Sequence, residues 1–363
     1  MMVDIFNFFP GGNTPEGFHS FYDYLPHNIN RVYIIKGGPG TGKSTFMKRI
    51  AKDLIENDWK VEYHWCSSDN NSLDGIVCKE ADIAVLDGTA PHVTDPVTPG
   101  AIEEVFYTGD CWDRNYLQKN CSQIKQENNI ISRYFRLTYD YLKAARIFFD
   151  RWKKYYQKAT NVNEINQKID QLLNSLSPAK KYNQTEGRHL FGTAITPAGP
   201  VTHYQNLTAN TKKCYIIKGD PGTGKSLLLA AIAREISKNG YYILYLHRTM
   251  EPAKYDGLII PELNVGFICE TPPYHLKANR EKDKVINLNN HIKNESYISR
   301  NNNELSQLKD NFTNMISTSY NYLSLAKQHH DELEKYYIEA MDFELLENKR
   351  QKLVSQLLPD PCS

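Results

Sequence analysis

The sequence has no CxxC pair among its seven cysteines, and seven is an odd number. That leaves reduced, mostly buried thiols and a cytoplasmic location as the expectation. No apolar run of about 18 residues occurs, so no membrane-spanning helix is expected. The first ten residues carry Asp4 and no basic stretch, unlike a signal peptide. Lys and Arg total 43 against 42 Asp and Glu, which leaves no global field to draw the chain to nucleic acid or a membrane. The guanine-recognition pattern NKxD is missing, and so is DxxG after the strand at 83–86. A guanine nucleotide is therefore the weaker expectation and ATP the stronger.

What is present is one unit written twice. Residues 33–44 read YIIKGGPGTGKS and residues 215–226 read YIIKGDPGTGKS, 182 positions apart. The same offset pairs Tyr63 with Tyr245, Asp74-Gly75 with Asp256-Gly257, Glu80 with Glu262, and Thr14-Pro15 with Thr196-Pro197. It slips by one further on, where Lys154-Tyr155-Tyr156 matches Lys335-Tyr336-Tyr337. A repeat over nearly all of 363 residues predicts two domains, 1–187 and 188–363, each long enough for a core of its own. In each copy a strand (32–35; 215–217) runs into a helix (44–56; 226–238), and further strands follow at 61–65 and 83–86, and at 242–246 and 265–268. Alternating strands and helices predict an α/β fold with a parallel sheet flanked by helices. Residues 113–176 and 293–358 are long, polar and almost free of Gly and Pro, and predict a helical hairpin appended to each domain, bending near 161–164 and 341–343.

The pattern G-x-x-x-x-G-K-[ST] is met by Gly37, Gly38, Pro39, Gly40, Thr41, Gly42, Lys43 and Ser44, with Thr45 following. It is met again by Gly219, Asp220, Pro221, Gly222, Thr223, Gly224, Lys225 and Ser226, with Leu227 following. Glycines allow backbone conformations that turn successive N–H groups toward phosphate, and the helix that opens at the loop adds its positive end. In this pattern Lys43 and Lys225 reach the β- and γ-phosphates, and Ser44 and Ser226 ligate Mg²⁺. Two P-loop NTPase domains binding ATP are the expected outcome. Lys36 and Lys218, which precede the first glycines, read as solvated strand-end lysines.

Magnesium needs an acid at a buried strand end. Ile83-Ala84-Val85-Leu86-Asp87 supplies one in copy one, so Asp87 is the expected metal and catalytic partner of Lys43. In copy two the aligned residue is Cys269, followed by Glu270. A thiol suits Mg²⁺ poorly, so the second site is expected to bind nucleotide with slow turnover or none. Gly88 stands where many related ATPases carry a water-orienting Glu. The remaining acid, base and finger candidates are Asp74, Asp256, Glu80, Glu262, His92, His275, Arg31, Arg188 and Arg248, each with a plain reading as a turn, surface or core residue.

The arm of copy one carries 14 Lys/Arg and 6 Asp/Glu between 113 and 181, and that of copy two 8 and 10 between 293 and 358. Basic residues with interleaved aromatics suit nucleic-acid phosphates and stacking, but pairing of the two arms with each other is equally compatible. The segments IIKGGPGTGKST, LDGTAPH and RHLFGTAITPAGP, in this order, resemble an uncharacterised bacterial family of tandem P-loop ATPases. The resemblance spans nearly the whole chain and implies ATP binding in the cytoplasm, without a substrate or pathway. The expectation is a pseudo-dimeric, Mg²⁺-dependent ATPase whose halves pair. A small-molecule or nucleotide kinase and a non-hydrolysing nucleotide sensor are the alternatives.

Overall fold

The computed structural model describes residues 5–90, 93–176, 178–179, 186–278 and 280–357. Copy one comprises β1 (Ile5–Phe8), β2 (Gly11–Thr14), β3 (Gly17–Ser20), β4 (Arg31–Lys36), α1 (Lys43–Ile55), β5 (Val61–Trp65), β6 (Leu73–Cys78), β7 (Ile83–Asp87) and β8 (Glu103–Tyr107), then α2 (Arg114–Lys119), α3 (Cys121–Ala159) and α4 (Val162–Leu176). Copy two comprises β9 (Arg188–Phe191), β10 (Thr193–Thr196), β11 (Gly199–Thr202), α5 (Tyr204–Leu207), β12 (Lys213–Lys218), α6 (Lys225–Lys238), β13 (Leu244–Arg248), β14 (Glu251–Ile260), β15 (Val265–Cys269) and β16 (Asp283–Asn287), then α7 (Glu295–Arg300), α8 (Asn302–Ala340) and α9 (Phe343–Leu357).

Each copy forms one six-stranded sheet in the same order, β1-β5-β6-β7-β4-β8 and β9-β13-β14-β15-β12-β16. The sheets are mixed, which corrects the expected parallel arrangement: β6 runs antiparallel to β5 and β7, and β14 to β13 and β15. The chain between β5 and β6 is too short for the dozen or so residues that a parallel crossover requires, so β6 must return as a hairpin partner. Asp74-Gly75 is thus strand, not turn, and Gly75 is needed because a Cβ there would sit 2.9 Å from Leu25. The helix α1 buries Phe46, Met47, Ile50, Ala51 and Leu54, the single stripe that an amphipathic helix lays on a sheet.

The two copies meet about a pseudo-two-fold axis. Phe9 and Phe191 are counterparts at the 182 offset, and each donates its N–H to the other's carbonyl at 3.0 Å. A residue bonded to its own counterpart marks the axis of an isologous contact. Around it Phe8, Phe9, Phe21, Phe191 and Leu246 form one shared cluster.

The arms are exchanged rather than appended. The helices α3 and α8 are each 39 residues, about 58 Å long. They lie antiparallel, with Glu127 at 2.7 Å from His329 near one end and the tilted rings of Phe149 and Phe312 5.8 Å apart toward the other. Leu142, Phe149, Trp152, Phe312 and Leu323 fill the seam. Each long helix has an apolar stripe with nothing in its own copy to cover it, so the other arm does. After the breaks at Thr160-Asn161 and Met341-Asp342, α4 and α9 land on the opposite cores. Ile165, Ile169 and Leu172 join the core of α6, and Leu346 and Leu353 join that of α1. Each core therefore draws apolar side chains from both halves of the sequence. None of the helices among the described residues is long and apolar enough to cross a membrane.

Three histidines are locked in this inter-copy region. Burial pushes His64, His203 and His247 down from 6.5 to about 4. Between those values the unfolded chain binds protons that the folded chain refuses, so stability is fully present above pH 6.5 and declines as pH falls toward 4. The expected slope is about 1–4 kcal/mol per pH unit, for one to three histidines held neutral. Urea midpoints measured at pH 7.5, 6 and 5 check this; a flat profile would mean that these rings protonate in place.

Candidate functional site

The loop between β4 and α1 carries left-handed glycines at Gly40 (φ +68°) and Gly42 (φ +82°), and α1 opens directly after Gly42. Lys43 folds back over the loop, donating to the carbonyls of Gly37 at 3.2 Å and Gly38 at 2.6 Å. Its Nζ stands 3.6 Å from Asp87 Oδ2. The strand β7 pairs directly with β4, Ile35 opposite Asp87, so the acid emerges beside the loop. Thr89 fixes it there by donating its N–H to Asp87 at 2.9 Å and its hydroxyl to Gly37 O at 2.9 Å. Ser44 Oγ accepts from the Leu73 N–H at 3.0 Å. Continuing the β6–β7 register one step past Gly75 opposite Leu86 sets Asp74 across from Asp87, with both side chains on one face. Asp74 is 5% exposed. Two facing carboxylates about 5 Å apart at Cβ repel unless a cation lies between them. Ser44, Asp87 and Asp74 are hard-oxygen donors, so this site fits Mg²⁺.

The second loop, with Gly219, Gly222 and Gly224 at positive φ, repeats the backbone design, and Lys225 again turns back onto the carbonyls of Gly219 and Asp220. Its surroundings differ. The same register step sets Asp256 across from Cys269. Burial, then Asp256, pushes the Cys269 thiol up to about 12, so it is neutral. Arg248, at the position of Cys66 in copy one, donates to Asp256 at 2.7 Å and to Glu251 at 2.7 Å. Lys225 is itself buried, which pushes it down to about 8. This donor set does not fit Mg²⁺: one carboxylate has become a thiol and the other is held by a guanidinium.

Helices from the opposite copy roof both loops. Over the first, Tyr337 packs on Gly38, the Glu334 backbone faces Gly40, and Phe343 and Leu346 face Gly42. Over the second, Lys153 and Gln157 backbone atoms face Gly222 and Ile165 faces Gly224, while Trp152 Nε1 donates to Asp220 at 3.2 Å. A cavity of about 600 Å³ opens beside the first loop between Tyr107, Trp112, Arg114 and Tyr337. Comparison with protein-family models, curated proteins and solved structures gives no match.

The other sequence candidates separate cleanly. Cys78 pairs with Ile83, so Glu80 stands at the start of β7, about 13 Å from its acidic tip, and Glu262 accepts from the Tyr242 N–H at 3.2 Å at the matching end. Neither can serve the loops. Arg31 is at that same far end, donating to Ala81 O. Arg188 is buried against Glu62. His275 is exposed and His92 lies outside the described residues. Lys36 and Lys218 are not merely solvated: Lys36 donates to Gly88 O and Asp95, both at 2.8 Å, and Lys218 to Leu276 O at 3.2 Å, pinning the chain that follows β7 and β15. The Thr14 and Thr196 turns belong to the inter-copy contact, where Asn13 donates to Ile195 O at 3.0 Å and Asn70 to Thr196 at 2.9 Å. Sequence reasoning missed the roofing residues, although the repeated Lys-Tyr-Tyr marked where they would lie.

The roof makes a prediction. A Cβ on Gly222 would collide with the Lys153 carbonyl, at a φ of +99° that disfavours any side chain. Gly222→Ala is expected to cost about 1–3 kcal/mol in denaturant unfolding and to release α3 from the loop, read as faster amide exchange near Lys153. Wild-type stability and exchange would contradict the packing.

Proposed function

We propose that the protein binds ATP at both glycine loops and hydrolyses it at the first. The observation that carries this reading is Lys43, held at the mouth of the α1 N-terminus by two loop carbonyls and 3.6 Å from Asp87. Those carbonyl bonds are makeshift partners for an ammonium placed where phosphate oxygens would sit. Loop amides and the helix end would grip the phosphates, and Lys43 would swing from the carbonyls to them. Ser44, Asp87 and Asp74 would hold Mg²⁺, which supplies positive charge to the β- and γ-phosphate oxygens. Tyr107, Trp112 and Tyr337 offer faces on which an adenine can stack, in a cavity within the size range of ligand sites. Tyr337 and Glu334 come from the far half of the sequence and would shut water out. Titration calorimetry of the full chain with ATP and Mg²⁺ tests the proposal. Two bound nucleotides per chain are expected; no heat and no change in thermal unfolding with ATP would end it.

A further inference from the structure

Counterpart positions at the two loops differ as a set, not singly. Copy one has Cys66, Asp74 and Asp87; copy two has Arg248, Asp256 and Cys269 at the same places. One carboxylate is lost and one permanent cation is gained, a change of two charge units in favour of an anion. We propose that Arg248 replaces the divalent cation at the second loop, so that this site takes a nucleoside triphosphate or diphosphate without metal and keeps it uncleaved.

The geometry supports a built-in cation. Arg248 is 4% exposed, and its Nε and Nη1 are committed to Asp256 and Glu251. Its Nη2 is buried and has no hydrogen-bond partner among the described residues. A buried guanidinium N–H without an acceptor is a costly vacancy that an anionic oxygen would fill. Asp256 is fixed further by the Thr271 hydroxyl at 2.9 Å. Glu251 also receives Lys153 of the α3 roof and Lys254, each at 2.7 Å, so the acids are outnumbered by cations before any ligand arrives. Lys225, turned back onto the carbonyls of Gly219 and Asp220, is a second cation at this loop. An incoming phosphate would relieve both bases at once. At the first loop, by contrast, Cys66 occupies the arginine's place and is neutral, its thiol raised by burial and then by Asp74. There the protein cation beside Asp87 is Lys43, at 3.6 Å.

This inference rests on nucleotide binding at the loops, and the test separates the two. ATP is titrated into the full chain with Mg²⁺ and again with EDTA. With EDTA the first site is expected to weaken by about 10-fold or more, the worth of a lost charge-assisted contact, while one nucleotide per chain remains. That remaining nucleotide should persist in Lys43→Ala and vanish in Lys225→Ala. After long incubation it should be recovered from Lys43→Ala as intact triphosphate. Loss of both sites in EDTA, or an EDTA-resistant site that depends on Lys43, overturns the proposal while leaving nucleotide binding intact. No binding even with Mg²⁺ overturns both. The double variant Arg248→Cys with Cys269→Asp gives the second loop the residues of the first and should make its binding EDTA-sensitive. If that variant does not fold, the wild-type and lysine variants still decide.

Discussion

Lys43→Ala is expected to lower ATP turnover by about 10²–10³-fold, the usual cost of removing one preorganised donor from developing charge. Lys43 stands at the end of α1 with Asp87 beside it and no other lysine or arginine against that carboxylate among the described residues. Removing it takes away the ammonium that stands beside Asp87, so Mg²⁺ affinity should change little or rise even as turnover collapses. Lys225→Ala is expected to leave most of the turnover in place, because Cys269 is neutral and Asp256 is engaged by Arg248. Initial rates at saturating ATP and Mg²⁺ for the two single variants check the asymmetry. Equal losses would mean that both loops turn over or that neither acts alone.

Arg188→Ala is expected to destabilise the fold by about 3–5 kcal/mol, the penalty for leaving a buried charge without its partner. Arg188 is 1% exposed and crosses from copy two into copy one. It donates to Glu62 at 2.6 Å and to the carbonyls of Tyr24 at 2.7 Å and Leu25 at 2.9 Å. Burial alone would raise the Glu62 carboxyl, yet Arg188, with His64 and Lys79, holds it well below the usual carboxylate range. The alanine variant would take the buried guanidinium from that carboxylate, leaving it Lys79 and His64, and would strand two carbonyls. An apolar pair, Arg188→Met with Glu62→Met, should cost much less, since it removes both charges together. Guanidinium unfolding of the three proteins at pH 7.5 provides the comparison. A loss below about 1 kcal/mol, the worth of a surface pair, would show that the two copies do not depend on this contact.

The loops were legible because their geometry is local. Glycine spacing, the preceding apolar strand and the following helix all lie within a dozen residues, and Gly42 and Gly224 cap α1 and α6 as their position in the motif requires. Asp87 was legible for the same reason, as the polar end of four buried residues. Asp74 was read only as one of several acids, since the Asp-Gly pair looks like a turn until the short chain before it forces β6 to run back against β7. Arg248 stood among three arginines with nothing to separate it, because its meaning depends on Asp256, eight positions on, and on a cysteine twenty-one positions on. The arms are legible as helices with bends near the right places, and their pairing with each other is one of the readings the charges allow, but not that α4 and α9 return to the opposite copy's core. A stripe on a helix says that something must cover it and not what.

By itself the sequence determined that one α/β unit occurs twice, that each unit presents a glycine loop at a helix start, and that the second copy lost an acid. These follow from short-range patterns whose physics is closed within a strand, a turn or a helix. Only the tertiary structure decided that the sheets are mixed, that each loop is roofed by the other copy's arm, and that Arg248, at the place of Cys66, pairs with the carboxylate left at the second loop, Asp256. Those facts arise from packing between segments more than a hundred residues apart, where burial and charge pairing, not local spacing, select the partner.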